Sequence, residues 1–251
     1  MPGKFTVMAG WSDVPHLTEQ QKLEEAARIP AYQIDARSKG IPQLGAGAIY
    51  PVPESEILCD PFVIPDWMPQ GYALDVGWKR TAAIFGAHDQ DSDILYLYSE
   101  HYVGQEKPPM HAAAIRARGE WLPGVFDPAA RGRQQRDGEV LLKDYVDLGL
   151  TLTPALNAVE AGIYEVWTRL ATGRLRVFRT MQNWLKEFRL YRRDEKGHIV
   201  KENDHCMDAT RYLVVSGVQR MIVRPASMWK TGNVSTHQAE YDPYAGLWPK
   251  G

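Results

Sequence analysis

Residues 71–103 read GYALDVGWKRTAAIFGAHDQDSDILYLYSEHYV, and the way this stretch divides decides the fold. Apolar runs at 71–76 (GYALDV), 82–88 (AAIFGAH) and 93–103 (DILYLYSEHYV) are separated by short polar connections, the first containing Gly77-Trp78-Lys79-Arg80. Runs of this length, rich in Ala, Val, Ile, Leu and Tyr, read as strands. Connections this short reverse the chain, so the stretch predicts an antiparallel three-strand meander. Downstream the period changes. Helical spacing at 108–118, 139–148, 157–172 and 181–188 alternates with extended pieces at 121–126 (WLPGVF), 150–153 and 175–178. A meander followed by alternating helices and strands gives an α/β fold, a mixed sheet covered by helices.

Upstream, Thr18 and Gln21 form a capping-box pattern ahead of a helix at 19–28, which Pro30 stops. Residues 30–69 are dense in Pro and Gly and read as a linker, with brief extended pieces near 48–52; a short strand is expected at 1–9. The folded core is expected to begin near residue 71. This divides the chain into an appendage (1–70), a domain (71–220) and an irregular tail (221–251). A chain of 251 residues, 44% hydrophobic, suits one large domain with an appendage. The net charge of -2 excludes a generally basic nucleic-acid coat and leaves room only for local patches. Cys59 and Cys206 have no paired spacing, which argues against a disulfide framework or a zinc site. No apolar run approaches the roughly 18–20 residues of a membrane span, and no signal-peptide pattern opens the chain. These features point to a soluble protein of a reducing cytoplasm.

The chemistry gathers around residues 203–212, NDHCMDATRY. Asp204 and Asp208 stand four apart and so share one face of a helix. Asn203 or Asp204 suits the N-cap, which puts the acids where the helix dipole favours negative charge. A capped, solvated helix start also accounts for the pair. Two adjacent carboxylates nevertheless repel unless a cation or a shared proton lies between them. Asp75 falls near the end of the first meander strand, and Asp127 leaves the end of the 121–126 strand. Open α/β sheets place their sites at such strand ends. Asp75-Val76-Gly77 also suits a hairpin turn, and Asp127 before Pro128 also suits the start of one. An acid cluster without His or Cys ligands prefers a hard cation, Mg²⁺ or Mn²⁺. Two such ions about 3.5–4 Å apart hydrolyse phosphodiesters. On this reading Asp-to-Asn changes at the ligands abolish cleavage and leave the metal-free fold intact, or stabilise it by relieving repulsion. His205 points about 100° from Asp204 at helical pitch and reads as a packing or surface residue.

Together, residues 71–77 (GYALDVG), 125–129 (VFDPA) and 204–212 (DHCMDATRY) resemble the nuclease domain of phage large terminase subunits, over roughly residues 71–217. The segment DARSKG at 35–40 and LGAGAIYP at 44–51 is similar to that family's motor-to-nuclease junction. The resemblance implies a ribonuclease H-like sheet and a metal-dependent endonuclease that cuts double-stranded DNA during viral genome packaging. It implies that Asp75 bridges two metal ions, that Asp127 and Asp208 each hold one, and it leaves the share of Asp204 open. The 189–201 stretch, turning at Asp194-Glu195-Lys196-Gly197, resembles the family's β-hairpin beside the active site. The implied partners are the terminase ATPase domain, the small terminase subunit and the portal, in the cytoplasm of an infected host. No G-x-x-x-x-G-K-[ST] is present, so ATP hydrolysis is not expected of this chain, which reads as a fragment or a split gene product.

Candidate DNA contacts are Lys79 and Arg80 beside Asp75, Arg131, Arg133 and Arg136 after Asp127, and Arg192, Arg193, Lys196 and Lys201 on the hairpin. The cations after Asp127 and on the hairpin suit a phosphate contact or a solvated surface equally, and Lys79 and Arg80 are slightly better placed for a contact. Three alternatives remain at this level. A junction resolvase of the same fold would prefer branched DNA. A kinase-like or actin-like protein would use 75–81 as a phosphate loop, but no second such loop follows Gly132. A non-catalytic DNA-gripping module would be inactive with every metal.

Overall fold

The computed structural model describes residues 10–14, 17–28, 38, 47–126, 135–194 and 196–228. The strand expected at 1–9, Asp127, Arg131, Arg133, the Arg136 side chain and the tail from 229 lie outside the described residues.

Strand β2 (Gln70–Val76) is central because six of its seven residues are buried, which a strand achieves only with both faces covered. β3 (Thr81–Asp89) pairs antiparallel with it, from Gln70 opposite Ala87 to Val76 opposite Thr81. β4 (Ile94–Val103) pairs antiparallel with β3, completing the expected meander. β5 (Pro123–Phe126) lies parallel to β2, and β6 (Thr151–Pro154) lies parallel to β5. β7 (Leu175–Phe178) lies parallel to β4 on the other side, and β1 (Leu58–Cys59) lies parallel to β7. Among the described residues the sheet has seven strands in the order β1-β7-β4-β3-β2-β5-β6, the mixed sheet that the sequence predicts.

Period-two alternation sorts the side chains between two cores. Tyr72 and Leu74 face one cluster with Ala83, Phe85, Ala112, Ile115 and Tyr145. That face is covered by α3 (Pro108–Arg116) and α4 (Gln135–Asp147). Ala73, with Ala82, Ile84 and Val125, faces the larger cluster. There lie α5 (Val159–Ala171), α6 (Gln182–Leu190) and α7 (His205–Tyr212). Each fully buried Leu, Ile or Phe in these layers contributes roughly 1.5–3 kcal/mol. Asp75, two residues beyond Ala73, therefore emerges on the α7 face at the end of β2.

The core does not begin at residue 71. Ile49, Tyr50 and Ile57 are buried in the larger cluster, helped by the one-turn helix α2 (Glu54–Ile57) and by β1. The Ile49 N–H donates to the Tyr191 carbonyl (3.1 Å) and the Arg193 N–H to the Gly47 carbonyl (2.7 Å). These pieces are too short to show a period between their prolines, so the sequence reads them as linker. At the other end Gln70 and Ile222 exchange backbone hydrogen bonds of 2.8 and 3.2 Å, carrying the fold past residue 220. Before them, α1 (Glu19–Arg28) starts with the expected capping box, Gln21 N–H to Thr18 Oγ1 (3.3 Å) and Thr18 N–H to Gln21 Oε1 (3.0 Å).

Candidate active site

α7 starts where the chain leaves a tight hairpin. Asp194 Oδ1 accepts from the backbone N–H groups of Lys196 (2.9 Å) and His198 (2.8 Å), and Arg193 bridges to Ile199. The hairpin is shorter than the expected 189–201, because α6 keeps its helical period to Leu190. Asn203 adopts φ of +54°, a left-handed conformation that Asn tolerates better than most residues, and turns the chain into α7.

The capping expectation needs correction. Asp204 occupies the N-cap position but makes no side-chain capping bond. Glu187, buried on α6, caps from a distance: its Oε2 accepts from the Cys206 N–H (2.5 Å), and its Oε1 accepts from the Tyr102 hydroxyl (2.7 Å). Burial raises the pKa of Glu187, and the two donors oppose that rise.

Relieved of capping, Asp204 faces Asp208, as their spacing predicts. The Lys201 ammonium lies 3.1 Å from Asp204 Oδ2 and 3.1 Å from Asp208 Oδ2. Toward Asp208 this is a hydrogen bond; toward Asp204 it is an ion pair out of hydrogen-bond alignment, and the buried Asp204 Oδ2 has no hydrogen-bond partner. Burial alone would depress the Lys201 pKa, but the two carboxylates outweigh it and hold the pKa above its ordinary value. Asp208 Oδ1 accepts from Arg211 Nη2 (2.9 Å). Arg211 is 2% exposed, its guanidinium 4.4 Å from the centre of the Tyr212 ring. Gly162 on α5 makes room for it, since a Cβ there would stand 2.7 Å from Arg211 Cγ.

Asp75 Oδ2 lies 2.8 Å from His205 Nδ1. That contact raises the His205 pKa against the opposing effect of burial. His205 is therefore not a bystander: it joins β2 to the first turn of α7. The register Leu74 opposite Phe126 is the last described pair between β2 and β5, and the next residues in sequence are Asp75 and Asp127. Among the described residues, no three His, Cys, Asp or Glu side chains gather as a metal cluster. What the described residues bring together is one acid–histidine pair and one acid–acid pair with a cation between. An all-oxygen pair, one oxygen buried without a hydrogen bond and an ammonium already held there, fits a hard divalent cation.

The candidate DNA contacts differ in their freedom. Lys79, Arg80, Arg192 and Lys196 are exposed. Arg80 lies over the Tyr102 ring, and the turn that carries it folds back beside the site; a Cβ on Gly77 would lie 3.6 Å from His205 Cε1. Arg193, by contrast, forks onto Glu160 (3.1 and 2.6 Å) and donates to the Gly197 carbonyl (3.0 Å), bracing the hairpin against α5. Sequence reasoning missed Glu187, and it undervalued His205 and Lys201. Only the i,i+3 and i,i+4 spacings of Lys201, Asp204 and Asp208 carried a readable signal.

The sequence matches the terminase RNase H-like domain family over residues 73–216. It is 35% identical over 208 residues to the large terminase subunits of Enterobacteria phage LP7 and Salmonella phage P22. Those matches cover 80% of this chain and 44% and 42% of the relatives, so the chain spans a little under half their length. The solved P22 large terminase nuclease domain superposes with a TM-score of 0.68 at 32% identity, over 72% of this chain and 97% of that one. The solved large terminase of a thermophilic bacteriophage, at 21% identity and a TM-score of 0.58 over 82% of this chain and 55% of its own, shares the fold. With the family matched over more than half of its residues, this chain belongs to the terminase RNase H-like domain family.

Proposed function

We propose that this chain is a divalent-metal-dependent endonuclease that cuts double-stranded DNA as the nuclease part of a phage packaging terminase. The observation that carries the reading is the acid pair of α7 with an ammonium held between its two carboxylates, and His205 of the same helix against Asp75 at the carboxyl end of the central strand β2. The likeness to the P22 nuclease domain supports the same substrate class.

Asp75, Asp127, Asp204 and Asp208 are the residues that would hold the cations, one or two in number and Mg²⁺ or Mn²⁺ in kind. Bound there, divalent cations supply polarisation of the scissile phosphate and acidify the attacking water. The rest is supplied by side chains. Arg211 fixes Oδ1 of Asp208, so Oδ2, which accepts from Lys201, is the oxygen that would meet a cation. Glu187 anchors the first turn of α7, so that Asp204 and Asp208 keep their spacing. His205 orients Asp75 through the 2.8 Å contact. Lys79 and Arg80, on the turn beside Asp75, and Arg192 and Lys196, on the hairpin, would meet the phosphate backbone; Arg131 falls in the same class by sequence. Such contacts position DNA without reading its bases, so cutting is weakly sequence-specific and needs no ATP. In the full packaging machine the partners would be the ATPase domain, the small subunit and the portal, inside the infected host's cytoplasm.

The test is nicking of supercoiled plasmid with Mn²⁺, Mg²⁺, Ca²⁺ or EDTA. Cleavage with the first two and little with the last two is expected. Undiminished cutting in EDTA would end the metal reading, and strong preference for a four-way junction over linear duplex would move the chain to the resolvases.

A further inference from the structure

Two cations touch the Asp204–Asp208 pair, and they are held in unlike ways. Arg211 is 2% exposed, packed on the Tyr212 ring, with its alkyl chain against Gly162. Removing it would open a cavity and strip Asp208 of a buried partner. The Lys201 side chain is 61% exposed and carries its ammonium in from solvent, so it can swing out and leave nothing behind. It touches Oδ2 of both acids at 3.1 Å, and one of those atoms, Asp204 Oδ2, is buried with no hydrogen bond of its own. An ammonium and a divalent cation cannot share those two oxygens, because like charges at such distances repel.

We propose that Lys201 is a resident counter-ion of the metal-free site: a positioning residue that holds Asp204 and Asp208 together until a divalent cation displaces it. This rests on the metal-dependent reading above. Lys201 directly follows Val200, whose N–H closes the hairpin onto the Arg192 carbonyl (3.0 Å). Displacement therefore frees an ammonium at the base of the hairpin, where an incoming phosphate takes up the released charge. The lysine keeps the acids from repelling one another while the site is unloaded. It also makes metal binding a competition rather than a simple filling.

The experiment is calorimetric titration of Mn²⁺ into the DNA-free protein, as wild type, Lys201→Met, Lys201→Gln and Lys201→Arg, with thermal melting of each in EDTA. If the ammonium occupies the site in about nine molecules of ten, its removal tightens apparent Mn²⁺ affinity about tenfold. Lys201→Met and Lys201→Gln should both show that gain. Both should melt below wild type without metal and show a larger rise in melting temperature on adding it. Lys201→Arg should bind Mn²⁺ no more tightly than wild type. Lys201→Gln guards against a Met variant that fails to fold. Mn²⁺ binding to wild type with unchanged or weaker affinity in both neutral variants overturns this inference and leaves the metal reading standing. Binding to none of the four proteins overturns both.

Discussion

Asp75 and Asp208 stand on different scaffolds, and they are held by different kinds of partner. Asp75 stands on β2, opposite Ala82, with its Oδ2 against a histidine whose pKa that contact raises. Asp208 stands in the first turn of α7 between Arg211, charged at every accessible pH, and Lys201. A strand fixes its carboxylate through the backbone ladder and leaves the charge to a mild partner. A helix that carries two acids on one face must neutralise them with side chains. Removing charge therefore has unlike consequences at the two positions. From the sequence, an amide at Asp75, Asp127 or Asp208 is expected to spare the metal-free fold; at Asp208 the 2.9 Å contact with the buried Arg211 guanidinium predicts a loss instead.

The sharpest way to break this comparison is Asp208→Asn beside Asp75→Asn, unfolded by urea in EDTA. With an amide in place of the Asp208 carboxylate, the Arg211 guanidinium keeps an acceptor but loses its compensating charge in a buried place, which should cost roughly 3 kcal/mol, at the low end for a buried pair because Asp208 keeps some contact with water. Asp75→Asn should stay within about 1 kcal/mol of wild type, since the amide can still hydrogen-bond His205. Nicking should be lost in both. Equal stabilities would show that the two acids are held alike.

Glu187 comes next. Glu187→Ala should lose about 2 kcal/mol, the cost of leaving the Cys206 N–H and the Tyr102 hydroxyl without an acceptor in a buried place. It should also speed hydrogen exchange at Cys206. Glu187→Gln, which keeps one acceptor oxygen, should lose less. An unaltered Cys206 amide in the alanine variant would mean that α7 does not depend on this remote cap.

A histidine pair on the other sheet face provides a contrast in titration. His101 Nε2 and His111 Nδ1 lie 2.9 Å apart, both buried. Burial, then His111 and Arg118, lowers the His101 pKa to about 4, and burial also lowers that of His111. Groups with depressed pKa values bind fewer protons folded than unfolded. Their contribution is complete above about pH 6.5 and is lost as pH falls towards 4, a change on the order of a few kcal/mol. Melting curves of wild type and His101→Phe in EDTA across pH 4–7.5 check this. The variant should lose part of the slope in that window, and parallel profiles would exclude the pair as its source.

The smallest effect concerns the hairpin cations. Lys196→Gln should weaken DNA binding and reduce the salt slope by about one unit if it touches one phosphate. Arg193→Gln should instead loosen the hairpin, because its charge is already spent on Glu160. Matching salt slopes in the two variants would show that their different partners do not matter for DNA.

The meander was legible because its strands are long and their connections short. The Asp204–Asp208 spacing was legible because helical pitch fixes what four residues apart means. The hidden features depend on partners distant in sequence. Nothing near Cys206 announces that Glu187 caps it, and nothing near Asp75 announces His205, 130 positions on. Lys201 lies close to both acids, yet hairpin lysines usually face water, so its place between them was not legible. β1, with two residues, is too short for any period to register.

Leu58 pairs with Val177 and Cys59 with Phe178, so β1 waits for a strand more than a hundred residues downstream. Closing so long a loop is slow compared with forming the β2–β3–β4 meander, whose neighbours are adjacent in the chain. The segment ahead of β1 waits longer still, because Ile49 and Gly47 bond to Tyr191 and Arg193, beyond α6. Assembly therefore starts at the centre of the sheet and finishes at the hairpin. In native-state hydrogen exchange the Ile49 and Arg193 amides should open well before those of β2. On that order the hairpin end of the domain is expected to open first, and the strand that holds Asp75 last.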